Sequence, residues 1–80
     1  MTTRHPRLQL NVGAGLRRWR QRNGLSQDQA ARVLGFHRSR IGHIEQGGQN
    51  LTLQTVEDLA DQLDVEPLDL LAGLPDWATE

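Results

Sequence analysis

The 80-residue sequence contains no cysteine, no lysine and no long apolar run. Without cysteine, neither a disulfide nor a thiolate metal site can hold the chain together, so packing alone must do so. Without lysine, a Walker-type phosphate loop is excluded. No segment approaches the roughly 20 apolar residues of a membrane span, and residues 1–6 lack the apolar stretch of a signal peptide. We therefore expect one small cytoplasmic domain.

Charge is divided sharply along the chain. All nine basic residues are arginines, and they lie between Arg4 and Arg40. Residues 1–50 contain two acids, Asp28 and Glu45, whereas the last thirty residues contain eight acids and no basic residue. A genomic bias towards arginine would explain the missing lysines but not this segregation. The pattern favours one surface that binds nucleic acid and another that is kept away from it.

Periodicity and capping signals predict an all-α fold of four or five helices, which begin near Asn11, Ser26, Arg38, Thr52 and Pro67. Residues 7–12 alternate polar and apolar side chains, which favours an extended arm, with a short strand as the alternative. The domain organisation expected from these signals is a flexible arm over 1–11, a helical domain over 12–74 and a tail over 75–80.

The second and third predicted helices are joined by only three residues, Gly35 to His37. Two short helices joined in this way form a helix-turn-helix unit, which places its second helix in the major groove of DNA. If Ile41 faces inward, Ser39 and His43 point outward, and Arg38 lies at the tip of the helix. These three residues are the candidate base readers, and arginine can donate two parallel hydrogen bonds to guanine.

Other residues near this helix are candidates for contacts with the DNA backbone. Gln27, at the start of the second helix, can grip a phosphate, although it can also be only part of the cap. Gly42 costs about 1 kcal/mol in a helix interior, and either a close approach to DNA or a tolerated surface glycine accounts for it. The remaining predicted backbone contacts are Arg40, Gln46, Gln49 and Asn50.

The segments 16–27, 30–35, 38–41 and 44–47 carry a family resemblance. Over residues 12 to about 72 the sequence resembles the Xre/Cro-repressor family, the lambda-repressor-like helix-turn-helix proteins. This resemblance implies five helices, phosphate contact through Gln27 and base reading by Arg38, Ser39 and His43. The sequence departs from the family pattern at His37, where a Ser or Thr N-cap is usual, and at Arg40, where a smaller polar residue is common.

The resemblance also implies an ion pair between Arg20 and Glu45, which would join the first and third helices. Because Glu45 lies on the inward face of its predicted helix, it needs an internal partner. The short segment 50–53 looks like the controller proteins of restriction-modification systems and, more weakly, like antitoxins of the same fold.

The predicted function is sequence-specific transcriptional regulation by a homodimer on a palindromic operator. One recognition helix reads only about four or five base pairs, so members of this family pair two units about 34 Å apart. The predicted dimer contact is Leu68, Leu71, Leu74 and Trp77. The alternative is that these side chains fold back onto Leu59 and Leu63. The arm with Arg4, His5 and Arg7 can reach the DNA backbone or remain solvated.

Two other function classes fit the sequence less well than a simple regulator does. An enzyme is not expected, because His5, His37 and His43 lack metal-ligand spacing, and Gly13-Ala14-Gly15 is too short for a dinucleotide loop. No cofactor or metal is therefore predicted. The alternative to a simple regulator is an antitoxin, which would bind its operator and hold a toxin protein with its acidic half.

Overall fold

The computed structural model describes residues 7–48 and 50–73. Within these ranges the chain forms five α-helices and no strand: α1 (Arg7–Arg22), α2 (Gln27–Leu34), α3 (Arg38–Glu45), α4 (Leu53–Leu63) and α5 (Pro67–Ala72). The all-α fold predicted from the sequence is confirmed. None of these helices combines the length and the apolar character that a membrane span requires.

Helix α1 begins at Arg7, earlier than its sequence pattern predicts. The expectation of an extended arm or strand over residues 7–12 is wrong, and Asn11 is not an N-cap. Instead Asn11 lies inside α1 and donates from Nδ2 to the carbonyl oxygen of Leu71, at 2.7 Å. Its partner is distant in sequence, so no local pattern reveals this role. Residues 1–6 of the predicted arm, with Arg4 and His5, lie outside the described residues.

Local signals fix both ends of α2. The Ser26 hydroxyl accepts from the backbone N–H of Gln29 at 3.1 Å, and the Gln29 side chain accepts from the N–H of Ser26 at 2.8 Å, which confirms the predicted capping box. Gly35 ends the helix in the left-handed region, with φ of 76°. The chain then reaches α3 within three residues, as a helix-turn-helix unit requires.

The core is one cluster to which all five helices contribute. Its members are Val12, Leu16, Ala31, Leu34, Ile41, Ile44, Val56, Leu59, Ala60, Leu63 and Leu70. Helix α5 docks through Leu70, which is fully buried, whereas Leu68 is 78% exposed and Leu71 packs against the cluster while half-buried. Of the leucines predicted to form the dimer contact, Leu68 is therefore clear of the core, whereas Leu71 packs against it. Leu74 and Trp77 lie outside the described residues.

A glycine brings α1 against the end of α3. A Cβ atom built on Gly13 would collide with the carbonyl oxygen of Ile44 and lie 2.9 Å from that of Glu45. Such a distance is shorter than any normal contact, so the two backbones can meet only where the side chain is absent. This contact sets the position of α3 relative to the core.

Candidate nucleic-acid interface

Helix α3 has a buried side and an exposed side. Ile41 and Ile44 are buried in the core, while Ser39, His43 and Gln46, the residue that ends the helix, are exposed. At 100° per residue, these three polar side chains lie on one face, opposite Ile41. The predicted base readers Ser39 and His43 therefore lie together on the exposed face of α3, and the opposite face packs against the rest of the domain.

The third predicted base reader, Arg38, is the first residue of α3. Its Nε lies 3.0 Å from Oδ1 of Asp28, the second residue of α2, and the two side chains are 66% and 61% exposed. An ion pair with this exposure contributes about 0–1 kcal/mol, so it orients Arg38 weakly and leaves its terminal nitrogens accessible.

A part-buried ion pair fixes α3 to α1. Nε of Arg20 lies 2.6 Å from Oε2 of Glu45, and a second nitrogen lies 3.1 Å from Oε1. The two side chains are 15% and 4% exposed. The hydrogen bond to Glu45 raises the pKa of Arg20, burial partly opposes this, and the charge of Glu45 adds to it. Arg20 also donates to the carbonyl of Leu25 at 3.0 Å, so the pair predicted from the resemblance also holds the segment that enters α2.

Gln27 joins the same network. Its Nε2 donates to Oε1 of Glu45 at 3.1 Å, and its amide lies beside Gly42, with Oε1 3.9 Å from the position of a Cβ there. The first residue of α2 is thus held against the backbone of α3. The predicted phosphate contact of Gln27 remains a prediction, and it would use a side chain whose orientation is already fixed.

The other predicted backbone contacts are dispersed around α3. Arg40 is half-buried, with its guanidinium carbon 4.7 Å from the centre of the Phe36 ring, a cation–π distance. Its Nε is buried and has no hydrogen-bond partner within the described part of the chain. Asn50 is exposed and accepts from Gln9 at 2.7 Å. Gln49 lies outside the described residues.

Arg18 has a role that the sequence analysis missed. One of its terminal nitrogens donates to the carbonyl oxygen of Gly73 at 2.6 Å, next to the bond from Asn11 to Leu71. Both bonds satisfy carbonyl groups at the end of α5, which lack partners within the helix. Arg18 thus belongs to the basic half of the sequence, but its hydrogen bond fixes the end of α5, which lies in the acidic half. The local sequence indicates that α5 ends at Gly73, but it does not indicate that Arg18 bonds there.

Comparison with known proteins supports the same fold. The family described as Helix-turn-helix domain matches residues 11–74. Control protein C.SmaI of Serratia marcescens is 41% identical over 60 residues, which span 75% of this chain and 71% of that protein. Control protein C.BamHI of Bacillus amyloliquefaciens is 36% identical over 50 residues, or 62% of each chain.

Solved structures give a matching result. The restriction-modification controller protein C.AhdI of Aeromonas hydrophila superposes with a TM-score of 0.64 at 39% identity, over 78% of this chain and 94% of that one. The hypothetical transcription factor NHTF of Neisseria gives 0.72 at 29% identity, over 91% and 80%. With the exposed α3 and its internal ion pair, these similarities show that the chain belongs to the helix-turn-helix domain family, and that within it the chain is similar to restriction-modification controller proteins.

Proposed function

We propose that the protein is a sequence-specific transcriptional regulator of the controller type, which binds a palindromic DNA operator as a homodimer in the cytoplasm. The observation that carries this proposal is the exposed polar face of α3, supported from behind by α1 and α2. The relatives named as control proteins support a role in regulation, and none of the proteins named above is described as an antitoxin.

Helix α3 would lie in the major groove, with Arg38 bonding guanine and with Ser39 and His43 reading neighbouring base edges. Around it, the backbone contacts would come from Gln27, Arg40, Gln46, Gln49 and Asn50. The part-buried hydrogen bonds that Arg20 and Gln27 donate to Glu45 keep α2 and α3 at a fixed angle. The protein would therefore meet DNA with its reading surface already arranged.

Pairing of two subunits would place two copies of α3 on successive turns of the duplex, about 34 Å apart. The proposed contact includes Leu68, which is 78% exposed, and the half-buried Leu71, together with Leu74 and Trp77. The exposed acids of α4 would then be directed away from DNA, which avoids repulsion. Those acids are Glu57, Asp58 and Asp61.

The experiment begins with selection of bound sequences from a random duplex library, which defines the operator. Operator binding is then titrated at fixed salt for Arg38→Ala and Gln27→Ala. We expect Arg38→Ala to lose base preference at one position per half-site, a change of about 1–3 kcal/mol. Gln27→Ala should weaken binding about evenly across sequences, as expected for a phosphate contact.

Arg17→Ala is the matched control. It removes the same charge from an exposed arginine of α1, at a position to which no DNA contact is assigned. Its sequence preference should equal that of the unmodified protein. Unchanged operator affinity and preference in both Arg38→Ala and Gln27→Ala would refute the assignment of α3 as the reading helix.

A further inference from the structure

Asp28 is an acid on the surface proposed to face DNA. The other acid among residues 1–50, Glu45, is enclosed by Arg20 and Gln27, whereas Asp28 is exposed at the start of α2. A carboxylate there repels phosphate groups and weakens DNA binding. Its position in the first turn favours α2, but this does not explain why it contacts Arg38, which belongs to the next helix.

We propose that Asp28 is a positioning residue, which holds Arg38 ready for a two-bond contact with a guanine and keeps it from binding phosphates indiscriminately. This inference rests on the proposed function, because it assigns a cause to the selectivity of the same reading surface.

The chemistry of the guanidinium group carries the first part of the inference. Arginine has five N–H donors, and the Asp28 carboxylate lies beside the one on Nε, with an N–O distance of 3.0 Å. The edge formed by the two terminal nitrogens can still donate two parallel bonds, which is the pattern that O6 and N7 of guanine accept. Asp28 therefore binds Arg38 by the edge that base reading does not need.

Competition for the same cation carries the second part. An arginine without a carboxylate partner gains from any nearby phosphate, whatever the sequence. Asp28 offsets the charge of Arg38 in the unbound protein and on unrelated DNA, so a phosphate, which attracts arginine mainly through charge, gains less from the contact. At the operator, guanine adds two bonds that need not displace Asp28. The pair thus increases the difference in affinity between operator and unrelated duplexes.

The test compares Asp28→Ala, Arg38→Ala and the double variant in the full chain. Dissociation constants are measured at one salt concentration for the selected operator, for the operator changed at the position that Arg38→Ala identifies, and for an unrelated duplex. We expect Asp28→Ala to reduce discrimination at that position by about 2- to 5-fold, as far as an exposed pair can act. It should also bind the unrelated duplex more tightly, with a salt dependence steeper by about one phosphate contact.

In the Arg38→Ala background, Asp28→Ala should leave discrimination unchanged, because its only proposed route is through Arg38. Asp61→Ala is the control, since it removes an equally charged, exposed side chain from α4. It should not alter discrimination. Because discrimination is a ratio of two constants for one preparation, a partly unfolded variant does not distort it.

Two failures can be told apart. If Asp28→Ala tightens binding to all three duplexes by one common factor, Asp28 acts by charge alone and the inference is overturned, while the proposed function stands. If Arg38→Ala loses preference at no position, the assignment of Arg38 as a base reader fails, and the inference fails with it.

Discussion

Gly13 in α1 and Gly42 in α3 both lie inside helices, and the same substitution tests each of them. A helix-interior glycine costs about 1 kcal/mol relative to alanine, so each invites an explanation. Gly42 stood out in the sequence because it interrupts the predicted reading helix. Gly13 did not, because nothing near it in sequence indicates that the end of α3 packs against it. A glycine is needed there because it contacts residues about thirty positions away, which only the folded chain reveals.

Gly13→Ala is expected to destabilise the protein. The added methyl group would meet the backbone carbonyls of Ile44 and Glu45, which cannot turn aside as a flexible side chain can. Overpacking of this kind costs about 1–3 kcal/mol, and more where backbone must move. Thermal unfolding measures the loss. A variant as stable as the unmodified protein would mean that α1 and α3 are not in close contact.

Gly42→Ala is expected to stabilise the free protein by about 1 kcal/mol, because the nearest atom to its Cβ, Oε1 of Gln27, lies at an ordinary 3.9 Å. If the helix backbone approaches DNA closely, operator affinity should fall at the same time. Unfolding and operator titration on one preparation decide this. Higher stability with unchanged affinity would favour the alternative, a surface glycine without a role in binding.

At the level of whole helices, the accuracy of sequence-based prediction depended on how local the signal was. The starts of α2 and α4 were predictable, because Ser26 and Thr52 each cap a backbone N–H three residues later. The start of α1 was not, because Gln9 and Asn11 bond to the segments around Asn50 and Leu71. The outer face of α3 followed from periodicity alone.

Glu45 joins α3 to α1 through Arg20 and to α2 through Gln27, so its loss should lower the stability of the whole domain. Glu45→Ala would leave the guanidinium of Arg20, whose side chain is 15% exposed, without its buried partner. Removing one member of a fully buried pair costs about 3–5 kcal/mol, so the loss for this part-buried pair should be smaller, about 1–3 kcal/mol. Chemical unfolding measures this cost, with Asp28→Ala as the comparison, because the exposed pair that it breaks is worth about 0–1 kcal/mol.

Lowering the pH should not remove the contribution of Arg20 to the free energy of unfolding. The pKa of Arg20 is raised by Glu45, so its contribution is fully present below the ordinary arginine pKa and is lost only as the pH rises through the raised value. Equal losses for Glu45→Ala and Asp28→Ala would contradict the distinction between the part-buried and the exposed pair.

For the molecule as a whole, the main untested prediction is the oligomeric state. Leu68→Glu should weaken a dimer formed through α5 while sparing the core, because Leu68 is 78% exposed and Leu70 is the residue that anchors the helix. Sedimentation velocity would show a shift from dimer to monomer, and operator affinity would fall because each subunit would bind a half-site alone.

Leu53→Glu provides the matched control for that experiment. Leu53 is also 78% exposed, but it lies at the start of α4, in an apolar groove that Leu8 and Leu71 also line. Because Leu71 also belongs to the proposed contact, we expect Leu53→Glu to weaken the dimer less than Leu68→Glu does. Dissociation by Leu53→Glu, with Leu68→Glu unaffected, would move the subunit contact from the outer side of α5 to this groove.

The contacts on α1 connect these scales. One side of α1 holds α3 through Gly13 and Arg20, and another holds α5 through Asn11 and Arg18. If two subunits meet at α5, α1 fixes the distance between the reading helix and the symmetry axis of the dimer. We expect that a bend in this helix would change the preferred number of base pairs between half-sites, while leaving the recognised half-site sequence as it was.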